Sequence, residues 1–273
     1  MTRTGTSIDL RSITDAQRKT WGSGDFHEIA RHNIVMAERL CPAVDLRAGE
    51  RVLDVACGTG TAALVAARHY CEVTGIDFVP ELIERARVRG EAEGHDVDWR
   101  VGDAQDLPFE DDAFDVVVSV YGVQFAPDQS RAASELLRVC RPGGRIGLAG
   151  PMPQGWSGDL FSLHGRYAPP PPGAPSPLGW GTEEGVREML GDGVAEVTSQ
   201  SRPALQYYRS VEHAVAVFAS WFGPTVTALE RVGPEQRDDL LADLTAVFDR
   251  YNRATDGTAM VENTYLESVA VVA

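Results

Sequence analysis

No apolar run in this sequence approaches the roughly 18 residues that a membrane-crossing helix needs, and the first residues lack the apolar segment of an export signal. These two absences lead to the expectation of a cytoplasmic protein with no membrane partner. Positive charge is also short: 25 Lys and Arg stand against 40 Asp and Glu, a net charge of −15. Binding to nucleic acid rests on a basic surface, so a nucleic-acid partner is excluded from the expectations. The four cysteines, Cys41, Cys57, Cys71 and Cys140, form no CxxC pair and no metal-ligand spacing. Free thiols in a reducing compartment are expected, and no metal site. Nothing resembles a Ser-His-Asp or Cys-His arrangement, so an activated protein nucleophile is not expected. No internal repeat is evident.

What is present is concentrated between residues 51 and 61, RVLDVACGTGT. Val52, Leu53 and Val55 form an apolar run suited to a parallel strand covered on both faces. Gly58 and Gly60 let the backbone turn sharply and approach a ligand closely. Ala62, Ala63, Ala66 and Ala67 predict a helix that packs tightly on that strand, with its positive end facing the turn. Gly58-x-Gly60-x-x-Ala63 satisfies the dinucleotide fingerprint in its G/A form, so a nicotinamide dinucleotide competes for the site. Asp54, however, would repel a pyrophosphate, and it can accept from a ligand ammonium directly or through water. Asp77 ends the next apolar stretch, VTGIDF at 73 to 78, and suits the ribose diol of either ligand. Asp103, in VGDAQDLPF at 101 to 109, ends a third extended segment, where a carboxylate can accept from an adenine amino group. One ligand with an ammonium, a diol and an exocyclic amine fits all three acidic strand ends, and no phosphate clamp is present.

With these residues in place, the sequence resembles the class I S-adenosylmethionine-dependent methyltransferases, and within them the small-molecule group of ubiquinone and menaquinone C-methyltransferases (methyltransferase type 11). The resemblance is carried by LDVACGTG at 53 to 60, GID at 75 to 77, GDAQDLPF at 102 to 109, FDVVVSVYGVQF at 114 to 125 and LLRVCRPGGR at 136 to 145. It covers residues 45 to 150, and a longer likeness to homologues of actinobacterial type runs on through the prolines after residue 168 and DGTAMVENTYL at 256 to 266. It implies an α/β fold: a Rossmann-like, doubly wound sheet of seven strands, mostly parallel with the last antiparallel. An α-helical lid from the N-terminus and from C-terminal insertions is implied with it. The implied cofactor is S-adenosyl-L-methionine, leaving S-adenosyl-L-homocysteine. The resemblance places around it Asp54, Ala56, Cys57, Gly58 and Gly60 of the first turn, then Asp77 and Phe78 of the second strand end. Asp103 and Ala104 of the third, Ser119 and Gln124 of the fourth, and Trp21 from the N-terminal segment complete the implied set. Ala56 stands where the family often has glycine.

In chain order, residues 1 to 45 are read as a helical cap, 46 to 150 as the cofactor-binding core, 151 to 181 as a proline- and aromatic-rich lid, and 182 to 273 as the rest of the sheet with a helical cap for the acceptor. Residues 1 to 8 are polar and small and are expected to be disordered. Helical spacing predicts a helix from Ser12 through Trp21 and a second one that Pro42 ends. Trp21 and Phe26 read either as cover for the cofactor or as core anchors. Residues 80 to 94 form an amphipathic helix with Pro80 in its first turn, and 114 to 120 a central strand. Residues 130 to 139 form a helix, 141 to 145 a structural turn and 146 to 149 the fifth strand. In the lid, Trp156, Phe161, His164, Tyr167 and Trp180 alternate with prolines. The stretch reads as a pocket wall held by a stiff loop, in preference to a polyproline ligand for an SH3-like partner. Beyond it, 182 to 190 is a helix, 194 to 208 a long strand, and 211 to 222 and 234 to 252 two further helices. Residues 260 to 272 make a closing edge strand set antiparallel beside the fifth.

The expected activity is methyl transfer to oxygen, nitrogen or carbon of a small, largely apolar metabolite, such as a specialised natural product, by a monomer or homodimer. Because the methyl of S-adenosylmethionine is already activated, the protein's task is to align acceptor, methyl and sulfur and to exclude water. Tyr121 lies where such a fold brings the acceptor beside the methyl, or it packs beside the adenosine. His164 is the best-placed candidate base, with His27 as a second, or each histidine is structural or solvated. Three other readings compete: a quinone-pathway C-methyltransferase, an NAD-dependent oxidoreductase, and a non-catalytic ligand-binding module.

Overall fold

The computed structural model describes residues 10–23, 25–171 and 174–273, and the disorder expected for residues 1 to 8 lies outside them. Three helices open the described chain: α1 (Leu10–Trp21), α2 (Phe26–Ala30) and α3 (Ile34–Ala43). Strand and helix then alternate through β1 (Arg51–Val55), α4 (Thr61–Arg68), β2 (Glu72–Asp77), α5 (Pro80–Glu93), β3 (Asp98–Val101), β4 (Phe114–Val120), α6 (Gln129–Val139) and β5 (Cys140–Pro151). After β5 come α7 (Trp156–Tyr167), α8 (Glu183–Leu190), β6 (Val194–Tyr208), α9 (Val211–Trp221), α10 (Gly223–Arg231), α11 (Pro234–Tyr251) and β7 (Ala259–Val272). Among the described residues no helix is long and apolar enough to cross a membrane.

The seven strands form one sheet in the order β3-β2-β1-β4-β5-β7-β6. The first five run parallel, and β7 lies antiparallel to both of its neighbours. Strands are added in one direction as far as β3 and in the other from β4 onward, so the order reverses between β1 and β4. In open α/β sheets the crevice beyond the strand ends at such a reversal is where ligands bind. The period-two alternation of the central strands buries both faces. Leu53, Val55 and Val117 pack beneath α6 and α8, whereas Val52, Val116 and Val118 pack beneath α3, α4 and α5. Each such side chain contributes about 1.5–3 kcal/mol through burial. A third apolar cluster joins Trp156 and Leu160 of α7, Phe218 of α9, Phe248 of α11 and Val261 of β7 above the strand ends.

Several elements differ from the sequence expectations. Residues 141 to 145 are no separate turn, because β5 begins at Cys140 and bulges instead. Phe114 pairs with Cys140 and Val116 already with Arg145, with Gly143 at φ 67° taking up the extra length. Residues 151 to 181 are no simple stiff loop, since twelve of them form α7 and five more a 3-10 turn, Pro177–Gly181. Trp180 takes no part in a pocket wall: it is buried in the core beneath the sheet, and its indole donates to Gln129 Oε1 at 3.1 Å. The second predicted helix is split at residues 31 to 33 into α2 and α3. An unforeseen helix, α10, starts at Gly223-Pro224, where proline in the first turn costs no hydrogen bond. The sheet edge is β6, not β7, which is hydrogen-bonded on both sides and buried at every second residue.

Trp99 on β3 fills space that two glycines leave open. A Cβ added at Gly75 would stand 2.5 Å from its ring, and one at Gly60 2.4 Å away. Gly75→Ala is expected to cost about 1–3 kcal/mol through overpacking, read as a lower urea midpoint. The cost should shrink in a Trp99→Ala background, and an equal cost in both backgrounds would show that the indole is not the obstacle.

Candidate active site: a cofactor cleft and an aromatic cavity

The cleft is built by the chain's exit from β1. Ala56 at φ 54°, Gly58 at φ 56° and Gly60 at φ 79° all adopt left-handed backbone. At Ala56 this costs about 1–2 kcal/mol. The turn is held from the next strand. Asp77 Oδ2 accepts from the Gly58 amide at 2.9 Å, and its Oδ1 accepts from the Val79 amide at 2.9 Å. Burial nevertheless pushes the Asp77 carboxyl up to about 6. Asp54, almost wholly buried at the end of β1, accepts from the Ala63 amide at 2.8 Å at the start of α4. Burial, with a smaller contribution from Asp77, raises its carboxyl to about 7. Among the described residues Asp54 has no cationic partner.

Over these strand ends lies a concave cleft that opens to solvent, the form small-molecule sites take. Ala56, Gly58 and Asp77 line one side, and Phe78, Asp103 and Ala104 the other. Asp103 is engaged by its own turn, accepting from the Gln105 backbone amide at 2.9 Å and side-chain amide at 3.0 Å. Trp21, Phe26 and Phe125 close the top; Trp21 lies 4.8 Å from Phe125 and meets Phe26 edge-on at 5.5 Å. A recess from the same floor reaches Asp54, Cys57, Thr59 and Asn33.

Tyr121 follows β4 at φ 50° and borders this cavity, the recess and a second cavity. The second cavity is walled by Trp156, Phe161, Phe218 and Phe222 and has a polar end. There the Tyr121 hydroxyl lies 3.2 Å from Ser157 Oγ and 3.3 Å from Asn263 Oδ1, and Ser157 donates to Asn263 Oδ1 at 2.8 Å. Burial pushes the Tyr121 phenol up to about 12, so it stays a neutral hydroxyl.

The structure therefore gathers Trp21, Ala56, Gly58, Asp77, Phe78, Asp103, Ala104 and Tyr121 around the first cavity, with Asp54 and Cys57 at its recess. Gly60 stands behind the turn, against Trp99. Ser119 does not line either cavity: its hydroxyl donates to the Val55 carbonyl at 2.8 Å and accepts from the Val123 amide at 2.9 Å, holding the ends of β1 and β4 together. Gln124 is likewise buried, its Oε1 accepting from the Gly122 amide at 3.0 Å.

Neither histidine lines the two cavities. His164 is buried on α7, 2.8 Å from Thr225 Oγ1, and burial lowers its imidazolium to about 4. The helical turn that carries it points Phe161 inward and His164 toward α10. His27 faces α5 in a surface recess with Arg85 and Arg89, and burial also lowers its imidazolium. Sequence reading missed Ser157, Gln206 and Asn263, and it carried no local signal for them. They come from three distant elements and meet at one cavity.

The titration of Asp54 gives a measurable consequence. A folded-state carboxyl raised to about 7 favours the protonated form, so its ionisation takes stability from the free protein as pH climbs through 7. A ligand ammonium beside it favours the ionised form. Affinity for S-adenosyl-L-homocysteine should therefore rise severalfold from pH 6 to 8, with proton release detectable by calorimetry in buffers of different ionisation enthalpy. Asp54→Asn, which can still accept from Ala63, should abolish that release; a pH-independent affinity in the parent protein would refute the assignment.

The Methyltransferase domain family matches residues 53–148, the stretch that builds the turn and the floor of the cleft. The chain is 35% identical to the uncharacterized protein Rv1403c of Mycobacterium tuberculosis over 239 residues, 86% of this chain and 87% of that one. It is 38% identical over 170 residues to the 27-O-demethylrifamycin SV methyltransferase of Amycolatopsis mediterranei, covering 60% of this chain and 54% of that protein. With the demethylmenaquinone methyltransferase of Thermus thermophilus it shares 40% identity over 129 residues, 45% of this chain and 59% of the other. Among solved structures, the YcgJ protein of Bacillus subtilis has the same fold, with a TM-score of 0.60 at 21% identity over 89% of this chain and 98% of its own. A strand-order reversal, a glycine turn and acidic strand ends, found in a chain with these relatives, identify it as a member of the class I S-adenosylmethionine-dependent methyltransferases.

Proposed function

We propose that the enzyme methylates a small, largely apolar, aromatic metabolite seated in the second cavity, of the kind made in specialised natural-product biosynthesis. The observation that carries this reading is the wall the two cavities share: Tyr121 borders both, so a ligand on its far side meets the cofactor cleft. Four aromatic rings lining one cavity suit a flat acceptor. The likeness to a methyltransferase named for a rifamycin points the same way. A quinone-pathway C-methyltransferase is the second reading, favoured by 40% identity to the demethylmenaquinone enzyme over less than half of the chain.

The residues fit S-adenosylmethionine. An uncompensated buried carboxylate at Asp54 suits its ammonium, Asp77 suits the ribose diol and Asp103 with Phe78 suits the adenine. The cofactor supplies a methyl on a positively charged sulfur, open to in-line attack. What the chain adds is position and dryness: Trp21, Phe26 and Phe125 cover the cleft, and Tyr121 holds the acceptor's edge toward it. In this reading residues 1 to 45 are a helical cap on a cofactor-binding core of 46 to 150, 151 to 181 close the acceptor side, and 182 to 273 supply the rest of the sheet together with a helical cap for the acceptor.

Phe161→Ala should raise KM for an aromatic acceptor about tenfold by removing one wall of the cavity, while S-adenosyl-L-homocysteine affinity by calorimetry stays within twofold. A variant unchanged in KM would place the acceptor elsewhere. His164→Gln should leave the pH profile of kcat and KM as in the parent and lower Tm, because His164 ties α7 to Thr225. Loss of a titrating limb in that profile would make His164 the base after all.

A further inference from the structure

The second cavity has an unusual inventory of polar groups. Among the described residues its lining holds no Asp, Glu, His, Lys or Arg, and its single titratable group is Tyr121, a neutral hydroxyl. What it offers instead is the neutral polar side chains of Asn33, Ser157, Gln206 and Asn263, and an indole. Trp156, only 4% exposed, has an indole Nε1–H that meets no acceptor in the protein. Asn263 spends its Oδ1 on Ser157 and Tyr121, and Gln206 spends its Oε1 on the Tyr208 hydroxyl at 3.1 Å. Both amides thus keep their N–H groups uncommitted at the cavity wall.

A buried donor without a partner is destabilising until something accepts from it. One such donor, the Trp156 indole N–H, together with the two uncommitted amide N–H groups, calls for a ligand oxygen rich in electrons. We propose that this cavity selects acceptors whose reacting oxygen is already an anion near neutral pH, an acidic phenol or an enol conjugated to a carbonyl, and that no residue of the protein removes its proton. The inference rests on the reading that the second cavity holds the acceptor. The proton leaves to solvent before the acceptor enters. The oxyanion, held by the Trp156, Asn263 and Gln206 donors, then attacks the methyl carbon. The new O–CH3 bond forms as the CH3–S bond breaks, and that electron pair stays on sulfur, so charge is neutralised without further proton transfer.

The surrounding ionisable groups fit this division of labour. Asp77 and Asp103 lie in the adjoining cleft and Asp54 in its recess, on the cofactor side of Tyr121. His164 is turned to Thr225 beside Phe222, and His32 stacks 4.6 Å from Tyr208, so neither borders the cavity. An unaided aromatic cavity would oppose ionisation of a phenol, whereas a donor-lined one favours it. The sign of that shift is therefore diagnostic.

The test uses the full-length protein saturated with S-adenosyl-L-homocysteine, and two probes. One is 4-nitrophenol, whose phenolate absorbs visible light; the other is 4-methylphenol, which ionises only near pH ~10, as tyrosine does. Bound 4-nitrophenol should ionise about one pH unit lower than free, a roughly tenfold preference for the anion. Trp156→Phe, which keeps an aromatic ring and drops the N–H, and Gln206→Met should each weaken phenolate binding about three- to tenfold and leave 4-methylphenol affinity as it was. If both phenols bind but the bound nitrophenol ionises no more readily than the free one, or the shift survives in both variants, the inference is overturned and the acceptor cavity stands. If S-adenosyl-L-homocysteine binds and neither phenol does, the acceptor reading itself falls, and the inference with it.

Discussion

One buried carboxylate organises the catalytic end of the sheet. Asp77 accepts the Gly58 amide from the turn after β1 and the Val79 amide from the turn after β2, so a single side chain sets the spacing of two strand ends. Its cost is visible in the raised carboxyl, which even two amide donors do not bring back to the usual range. Asp54 carries a similar cost a few residues away, with only the Ala63 amide in support. Such destabilised groups are expected where a ligand completes the electrostatics. The strained backbone at Ala56 and Tyr121 borders the same cleft, and strain of this kind clusters where surrounding structure overrides local preference.

From that fixed floor the rest of the molecule is a matter of what is placed above it. Tyr121 comes from β4, Ser157 from α7 and Asn263 from β7, and their hydrogen bonds tie the cap helices to the sheet at the junction of the two cavities. Aromatic rings on α7, α9 and α11 pack edge to face behind them: Trp156 lies 5.6 Å from Phe218, and Phe218 5.1 Å from Phe248. Such pairs add about 0.5–1.5 kcal/mol each beyond their burial. The cap is thus a second apolar core with an aromatic-walled cavity left in it beside the cofactor cleft.

The cofactor end of this arrangement is legible in the chain itself. Strand, turn, helix and acidic strand end follow one another within residues 51 to 77, so their chemistry is written in local order. The span of β4, the long β6, α5 with its proline start, and the antiparallel return of the last strand are all readable from hydrophobic period, turn residues and the family resemblance. Less legible is anything that depends on which side of a helix faces which neighbour. His164 and Phe161 sit three residues apart on α7, yet Phe161 borders the cavity and His164 is sealed against Thr225. Trp180, one of the aromatics that suggest a pocket wall, lies instead in the core on the opposite face of the sheet.

The sequence by itself determined the α/β fold, the glycine turn, the three acidic strand ends and hence the class of cofactor. Each of these depends on residues close together in the chain and on backbone geometry that only certain residues tolerate. Tertiary structure alone decided the second cavity, the proposed acceptor site. Its donors, Trp156, Gln206 and Asn263, are spread over more than a hundred residues and meet only when β6 and β7 pair and α7 folds back over them. Whether a polar side chain ends up satisfied by the protein or left for a ligand depends on that long-range packing, which no local pattern encodes.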